Sequence, residues 1–593
     1  MAELIKGGSF VLETRRSEEV FTPEDFSDEH KMILQTTWDF ILGEVKPNFA
    51  KLEEKDDQLS RKLMLQAGEL GLLSTAVPEE YGGLGLDEVS TSCVTEAFGA
   101  GGSFAVTQGA HTGIGTLPLV YFGTEELKNK YLPKLASGEW IGAFALTEAG
   151  AGSDALNAKT KAVLSPDGEH YILNGEKMWI TNGGWADSFI VFAKVDGEEF
   201  TGFVVERTME GITTGAEEHK LGINGSSTTT VHFEDVKVPK GNVLGQVGKG
   251  HKIAFNVLDI GRHKLAAACI GGGKEALAEA VKYAKGRIQF NQPIAGFGMI
   301  QEKLADMFIK TYMLESAIYR TAALIDTALE AIDPKDPEKD LKAIRAIEEY
   351  TIECCANKVY GSEVIDFIVD EWVQILGGYG YSCEYPAELA YRDARINRIF
   401  EGTNEVNRLL VPGTIMKRAM KNQLPLLAAA QSLASEVMTF SPLMAEIPEG
   451  PLGFQSHMME MTRKAIILVA GVAAQKYMNK LIQEQEVLGR LADMCIELWA
   501  MESGLLRAQK KIDQDGEEAA ELYIAAVQAY LDDTLPKVEF WGKQVLAHVE
   551  EGDMLRTQLM ALRKFTKNQP IDAIAAKRKI AAKIIDKECY PIG

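Results

Sequence analysis

A carboxylate at the end of a basic stretch is the residue that is best placed, by type and spacing, to do chemistry. Glu401 follows the apolar pair Ile399-Phe400 and directly precedes Gly402. Burial among such neighbours would raise the pKa of the carboxyl towards neutrality, where a carboxylate can take a weakly acidic proton. Glu401 is therefore a candidate general base. The alternative is an ordinary surface glutamate before a glycine that ends a helix.

Five sequence blocks stand in a fixed order and support the first interpretation. The block around the carboxylate is Arg398-Ile-Phe-Glu-Gly-Thr-Asn-Glu405. The earlier blocks are Ala145-Leu-Thr-Glu-Ala-Gly-Ala-Gly-Ser153-Asp, Lys177-Met-Trp-Ile-Thr-Asn-Gly-Gly184, Asp259-Ile-Gly-Arg262 and Gln374-Ile-Leu-Gly-Gly-Tyr-Gly-Tyr381. Together, from about residue 30 to about residue 415, they resemble the acyl-CoA dehydrogenases. The extra C-terminal region is similar to that of the very-long-chain branch.

The resemblance implies a specific reaction, the FAD-dependent α,β-dehydrogenation of a long-chain fatty acyl-CoA to trans-2-enoyl-CoA in fatty acid β-oxidation. Glu401 would take the α proton and the flavin would accept a hydride from the β carbon, since no amino acid is an electron sink. Electrons would then pass to an electron-transfer flavoprotein. Some branches of the family carry the base directly before the arginine of the third block. This chain has Gly261 there, so Glu401 has no competitor.

Two other functions are compatible with the same motifs. An acyl-CoA oxidase would pass the electrons to oxygen. A scaffold or assembly protein would keep the fold and bind partners through its C-terminal helices. The intact carboxylate and flavin motifs argue against a purely structural role, but the sequence discriminates poorly between dehydrogenase and oxidase.

The family's cofactor contacts can be placed on matching residues of this chain. The resemblance implies that Thr147 and Thr181 approach the polar edge and the reactive nitrogen of the flavin, while Trp179 shields the ring face. Taken alone, Trp179 would be an ordinary core residue of a β domain. The full set implied for FAD is Phe144, Leu146, Thr147, Ser153, Trp179, Ile180, Thr181, Arg287, Phe290, Gln301, Gln374, Gly378, Thr403 and Glu405.

The remaining implied contacts concern a second subunit and the substrate. Arg287, with Gln289-Phe290 close behind, resembles the segment that reaches the FAD of a neighbouring subunit, where a cation suits a pyrophosphate. A shared cofactor implies at least a dimer, and the expected assembly is a homodimer, with a tetramer as the alternative. The residues implied for the acyl-CoA are Ser153, Asp259, Arg262 and Gly402, with the backbone N–H of Glu401 on the thioester oxygen.

The elements that must position these residues follow from the periodicity of the sequence. A mainly α fold with a middle β domain is predicted. An arm over residues 1–28 precedes a helical domain over 29–139. Short β-rich runs separated by turn residues then indicate an antiparallel β domain over 140–245, in the form of a small barrel. Long amphipathic segments indicate a four-helix bundle over 246–422. An additional helical domain is expected over 423–593.

Two apolar segments leave alternatives open. Gly109-Ala-His-Thr-Gly-Ile-Gly115 is rich in small residues. It serves either close helix packing or a widened channel for a long acyl tail, which the family analogy places at Gly109 and Ala110. Ala465–Ala474 is either a buried core helix or a peripheral contact with a membrane surface, because it is too short to cross a membrane.

Composition sets limits on partners and compartment. The net charge of −23 provides no general positive field for phosphates, so a nucleic-acid binder is not expected. The seven cysteines lack the spacing of zinc ligands, and no metal site is expected. Reduced thiols, and an N-terminus without a long apolar segment, predict a cytoplasmic location.

Overall fold

The computed structural model describes residues 4–438 and 447–592, which are mostly helical, with an eight-stranded sheet in the middle domain and a short two-stranded hairpin. Three small helical turns of the arm precede the first long helix. The arm is packed against the rest of the chain, because Phe10 is buried with its ring centroid 5.0 Å from that of Trp499. The backbone N–H of Gly8 also donates to Glu353 Oε1 at 2.6 Å.

Seven helices form the N-terminal domain. Ser27 caps the first of them, as its hydroxyl accepts a hydrogen bond from the His30 N–H at 3.1 Å, and Asp56, Asp87 and Thr124 cap later helices in the same way. A π-helical turn, His111–Gly115, follows the fifth helix. The helices are α1 (Asp28–Phe40), α2 (Phe49–Glu53), α3 (Asp57–Glu69), α4 (Glu88–Phe98), α5 (Ser103–Ala110), α6 (Leu117–Phe122) and α7 (Glu125–Ala136).

One eight-stranded sheet forms the middle domain. Its strands are β1 (Gly142–Ala145), β2 (Lys161–Leu164), β3 (His170–Thr181), β4 (Ser188–Val195), β5 (Glu199–Glu206), β6 (Ile212–Thr214), β7 (Thr228–Pro239) and β8 (Val243–Leu244). The order is β6-β7-β3-β2-β4-β5-β8, with β1 beside β4. Most pairs are antiparallel as expected, but β1 and β2 run parallel to β4. Turn residues reveal only connections between sequential strands, so they could not reveal these two pairings.

A bundle of long helices follows the sheet. Its elements are α8 (Gly250–Gly286), the hairpin β9 (Ile288–Gln289) and β10 (Gln292–Pro293), α9 (Gly298–Glu330), α10 (Lys339–Glu348), α11 (Thr351–Leu376), α12 (Pro386–Ala394) and α13 (Asn404–Met420). Helices α8, α9 and α11 pack on one another, and α13 packs on α11. Helix α8 carries the third sequence block and α13 begins within the fifth, so packing on α11 brings both blocks to the same helix.

Among the described residues after α13, six further helices follow: α14 (Leu426–Met438), α15 (Gly453–Tyr477), α16 (Gln485–Ala519), α17 (Glu521–Val549), α18 (Gly552–Phe565) and α19 (Ala573–Lys587). They share one hydrophobic core with the bundle, to which α16 contributes Trp499 and α15 contributes Val469. Among the described residues, only Gly453–Gln483 is long and apolar enough to cross a membrane, and 44% of its most apolar window is buried. Residues 465–469 and Ala473 of α15 are buried in the shared core, and contact with a membrane surface stays a prediction.

Candidate active site

Glu401 lies in a strained turn directly before α13. Its φ is +57° and that of Gly402 is +78°, so two consecutive residues adopt the left-handed conformation. For a residue with a side chain this conformation costs about 1–3 kcal/mol and persists only where surrounding contacts impose it. Thr403 then begins the helix by accepting a hydrogen bond from the Val406 N–H at 3.2 Å.

Three side chains from three helices, α8, α11 and α13, hold the turn through its carbonyl groups. Lys358 Nζ donates to the Gly402 carbonyl at 2.7 Å, and Asn407 Nδ2 donates to the same oxygen at 2.8 Å. Arg262 Nε donates to the Glu401 carbonyl at a longer distance of 3.4 Å. Neither Lys358 nor Asn407 was singled out from the sequence, since only the fold brings them to this loop.

The carboxyl group of Glu401 is directed onto α8. Its Oε2 is enclosed and has no hydrogen-bond partner, although the residue as a whole is half-buried. A β-carbon at Gly261 would lie 2.8 Å from that oxygen, so the absence of a side chain there makes room for the carboxyl. Burial raises the pKa of Glu401 to about 7, against the opposing charges of Arg262 and Lys358. These are the conditions under which a carboxylate acts as a general base.

Asp259 and Arg262 lie behind this turn as a buried pair. Arg262 Nη1 donates to Asp259 Oδ1 at 2.5 Å, and Asp259 Oδ2 accepts from Thr351 Oγ1 at 2.8 Å. Burial raises the pKa of Asp259 while Arg262 opposes the shift. The contacts of both side chains are thus with each other and with protein groups around the base. Their role as substrate contacts stays a prediction.

Trp179 is exposed, with 54% of its surface accessible. A register shift between Lys177 and Ile180 interrupts the pairing of β3 with β7, and Trp179 itself has a φ of +59°. Regular alternation would put residues 177 and 179 on the same face, yet Lys177 and Ile180 are buried and Trp179 is not. The bulge therefore turns the indole outward, and the alternative of a core tryptophan is wrong.

A buried ion pair joins the first two sequence blocks. Lys177 Nζ donates to Glu148 Oε1 at 2.7 Å and to the Leu146 carbonyl at 3.1 Å. The Met178 N–H donates to the Thr147 carbonyl at 2.9 Å. The loop that carries Thr147 and the strand that carries Trp179 are consequently held side by side. Glu148 and Lys177 both stand inside the sequence blocks, and their opposite charges are the signal from which the pair could have been predicted.

The other residues implied for the flavin differ in their accessibility. Thr147 and Thr181 are half-buried, and Ser153 is exposed. Phe144, Leu146 and Ile180 are buried in the hydrophobic cores. Their side chains are thus largely committed to packing, and a cofactor would meet mainly the backbone of these three residues.

A second group of implied cofactor residues surrounds a cavity of about 630 Å³. Arg287, Gln289 and Gly378 line it, and the Arg287 guanidinium lies 5.4 Å from the centre of the Tyr379 ring. Phe290, at the tip of the β9–β10 hairpin, is 88% exposed. An exposed aromatic ring and an exposed cation beside an open cavity suit a partner subunit and its cofactor, and the shared FAD stays a prediction.

Four more implied residues lie on helices near these features. Gln374 is exposed in the last turn of α11, while Gln301 donates to the Ala295 carbonyl at 3.1 Å. Thr403 uses its hydroxyl oxygen to cap α13 and also hydrogen-bonds the carboxylate of Glu405, which is exposed. Contact of these four side chains with a cofactor stays a prediction.

The glycine-rich segment of the N-terminal domain differs in its surroundings from one glycine to the next. A β-carbon at Gly115 would lie 2.9 Å from the backbone of Gly142, so this glycine permits close packing against β1. A β-carbon at Gly109 would meet no atom within 4 Å, so space is open there. Packing therefore explains Gly115, and the widened channel at Gly109 and Ala110 stays a prediction.

The arrangement fits the cofactor that the resemblance implies. An indole turned out of the sheet beside two half-buried threonines offers a surface for a flat ring. The cavity at Arg287 and Gly378 offers a cation and bare backbone, which suit a pyrophosphate. Glu401 contributes an enclosed carboxylate oxygen without a partner.

Comparisons with known proteins find the same family in every part of the chain. Models described as the N-terminal, middle and C-terminal domains of acyl-CoA dehydrogenase match residues 27–139, 143–236 and 248–416. A further model, also described as an acyl-CoA dehydrogenase C-terminal domain, matches residues 461–564.

Individual relatives are similar over most or all of their length. A probable acyl-CoA dehydrogenase of Bacillus subtilis (strain 168) is 49% identical, covering 100% of this chain and 99% of the relative. The mitochondrial very long-chain specific acyl-CoA dehydrogenase of Bos taurus is 37% identical over 80% of this chain and 74% of its own length. A crystal structure of an acyl-CoA dehydrogenase from Bacillus anthracis complexed with FAD superposes with a TM-score of 0.97. It is 51% identical and covers 99% of this chain and 100% of its own.

Proposed function

The chain belongs to the acyl-CoA dehydrogenase family of FAD-dependent oxidoreductases, and from that premise we propose that it converts long-chain acyl-CoA to trans-2-enoyl-CoA with Glu401 as the base. The observation that carries this proposal is the state of the Glu401 carboxyl. It is enclosed against Gly261 without a hydrogen-bond partner, and burial raises its pKa to about 7. A carboxylate with this pKa is ionised in a large fraction of the molecules at neutral pH, and it is a stronger base than an exposed glutamate.

In the proposed reaction, residues of this chain accept the proton, orient the base and bind the thioester and the flavin. Glu401 accepts the α proton on its carboxylate. Lys358, Arg262 and Asn407 hold the turn that orients it, and the backbone N–H of Glu401 is the donor proposed for the thioester oxygen. Thr147, Trp179 and Thr181 would hold the flavin ring, and Arg287 and Gly378 the pyrophosphate. Bound FAD supplies the electron sink that side chains lack.

A long acyl chain is the proposed substrate class. The open space beside Gly109 supports this proposal, because a side chain at that position would occupy room that a tail could use. The similarity to a very long-chain specific relative, over 80% of this chain, points in the same direction. We propose a homodimer that gives its electrons to an electron-transfer flavoprotein and works in the cytoplasm. The seven cysteines, none of them in a disulfide, suit that compartment.

Anaerobic mixing of the purified yellow protein with palmitoyl-CoA tests the reaction. We expect rapid bleaching of the flavin, and reoxidation that is slow in air and fast with electron-transfer flavoprotein. Rapid reoxidation in air would instead identify an oxidase. A series of acyl-CoA chain lengths, run in the same assay, would measure the preference.

The Glu401→Gln variant tests the assignment of the base. It should retain FAD and bind palmitoyl-CoA, yet reduce the flavin more slowly by a factor of about 10³ or more, because an amide cannot accept the proton. Glu210→Gln, which changes an exposed carboxylate outside the catalytic turn and the residues implied for the cofactor, provides the matched control. A Glu401→Gln protein with normal bleaching would show that another group is the base.

A further inference from the structure

We propose that Lys358 is a positioning residue for the base, holding the Glu401–Gly402 turn in place and supplying the unpaired positive charge that the carboxylate faces. The inference rests on the proposed role of Glu401. Lys358 belongs to none of the five sequence blocks. It lies on α11 within Glu353-Cys-Cys-Ala-Asn-Lys358-Val-Tyr, a stretch in which a lysine is surrounded mainly by residues suited to a core.

The first support is the set of bonds that the ammonium makes. Lys358 is 0% exposed, and its Nζ donates to the Gly402 carbonyl and to Asn404 Oδ1, both at 2.7 Å. One acceptor belongs to the left-handed turn and the other to the first residue of α13. A single buried ammonium therefore connects the turn that carries the base to the helix that follows it.

The second support is the way in which this connection is anchored. Asn404, 3% exposed, also donates from Nδ2 to Ser362 Oγ at 3.0 Å and to Glu363 Oε1 at 3.1 Å. Ser362 is one helical turn after Lys358 on the same face of α11. Glu363 in turn accepts two hydrogen bonds from Arg408 of α13. Contacts with α11, a long and buried helix, therefore fix the position of the turn.

The third support is the distribution of charge around Glu401. Of the two cations that face the carboxyl, Arg262 is paired directly with Asp259, which compensates most of its charge. Among the described residues, no carboxylate pairs directly with Lys358. The other titratable groups that face Lys358 are Cys269 and Arg262 on α8, Glu401 in the turn and Glu405 at the start of α13.

The charge on Lys358 is present at the pH where the base works. Burial lowers the pKa of Lys358 to about 8, and the neighbouring Glu401 carboxylate opposes that shift. At neutral pH most molecules therefore carry the ammonium. A positive group beside a buried carboxylate favours its ionised form, so Lys358 prevents burial from raising the pKa of Glu401 so far that the base stays protonated.

The decisive measurement is a titration of Glu401 that requires no turnover. The carboxyl band of Glu401 is isolated as the infrared difference between the FAD-loaded protein and its Glu401→Gln variant, and is followed against pH. The same difference is measured in a Lys358→Met background. We expect the midpoint to rise by about one pH unit when the ammonium is removed. The rate of flavin reduction by palmitoyl-CoA at pH 7 should fall at least tenfold.

Two matched variants separate positioning from stability. Lys128→Met removes another buried lysine, whose Nζ pairs with Asp340 at 2.6 Å far along the chain from the turn. It should lower the Tm without moving the Glu401 midpoint. Lys358→Arg keeps the charge but replaces a compact ammonium by a wider planar group. It should leave the midpoint near that of the native protein while slowing flavin reduction, because the turn is displaced.

The outcomes are distinct. An unchanged midpoint and rate in Lys358→Met, or a loss of Tm alone that matches Lys128→Met, would overturn the proposal. If Lys358→Met does not fold, the Lys358→Arg variant decides the question. A native Glu401 midpoint together with a native rate of flavin reduction in Lys358→Arg would show that the exact position of the positive charge is unimportant, and would overturn the proposal. A native protein that fails to reduce flavin with any acyl-CoA would contradict the proposed function and leave the infrared titration interpretable.

Discussion

At the scale of single residues, the site depends on shielding the Glu401 carboxylate from water while two cations, Arg262 and Lys358, lie near it. Gly261 provides the space, the left-handed φ of Glu401 aims the side chain, and Arg262 and Lys358 limit the cost of burying the charge. Removing any one of these would alter either the position or the strength of the base.

The pH dependence of the reaction tests the strength of the base. Glu401 must be ionised to accept a proton, and its pKa in the free protein is raised to about 7. We therefore expect kcat/KM for palmitoyl-CoA to rise as the pH increases through about 7 and to level off above it. A profile already flat from pH 5 upward would mean that the carboxyl has an ordinary pKa.

The raised pKa of Glu401 also makes the stability of the folded protein depend on pH. A carboxyl whose pKa is higher in the folded than in the unfolded protein binds its proton more tightly when folded, so its contribution to stability falls as pH rises from the unfolded pKa towards about 7. Glu401→Gln should consequently gain Tm relative to the native protein at pH 8 and much less at pH 5. Equal gains at both pH values would contradict this prediction.

Replacement of Gly261 tests the position of the base. In Gly261→Ala the new β-carbon would lie 2.8 Å from Glu401 Oε2, so the carboxyl must move. A displacement of this kind is expected to lower kcat about 10²-fold with FAD retained. Gly413→Ala is the matched control, because a β-carbon on that glycine of α13 would meet no atom within 4 Å. Normal turnover in Gly261→Ala would show that the carboxyl is not held against α8.

At the scale of secondary-structure elements, the cofactor surface depends on how a loop and an interrupted strand are joined. The bulge in β3 turns Trp179 outward, and the buried Lys177–Glu148 pair fixes the loop of Thr147 beside it. Glu148 also accepts hydrogen bonds from the N–H and hydroxyl of Thr160. Its pKa stays below its usual range despite burial, because Lys177 and Thr160 donate to it.

Lys177→Met tests this connection. It leaves the Glu148 carboxylate buried without its cation, which should cost about 3 kcal/mol of stability in the middle domain and weaken FAD binding by loosening the loop. Calorimetry and the ratio of flavin to protein after gel filtration measure the two effects. Lys161→Met, an exposed lysine on β2, is the control. Full flavin content with an unchanged melt would contradict the proposed connection.

At the scale of the whole molecule, a buried ionic network joins the N-terminal arm, the bundle and the C-terminal helices. Arg507 of α16 is 0% exposed and donates to Glu24 of the arm and to Glu315 of α9. The hydroxyl of Tyr590, near the C-terminus, donates to Glu315 Oε2 at 2.8 Å. Lys274 of α8 pairs with the same glutamate. These contacts make the additional helices part of one body with the catalytic bundle.

Arg507→Met should therefore affect regions far apart in the chain. It leaves Glu24 and Glu315 buried near each other with less compensation, which should cost about 3–5 kcal/mol and lower the Tm. Release of the arm should also make residues 1–28 more sensitive to limited proteolysis. Arg556→Met, which breaks a fully exposed pair with Asp553, is the control. An arm as protected as in the native protein would refute this role of the network.

The sequence by itself determined the family, the order of helical and β regions, the FAD dependence and the candidate base, because residue types and their order along the chain carry that information. Only the tertiary structure decided that Trp179 faces outward, that β1 and β2 run parallel to β4, and that Gly115 packs while Gly109 leaves space. It also brought Lys358 to the Glu401 turn. These facts depend on contacts between segments tens to hundreds of residues apart, and local patterns of residue type do not encode such contacts.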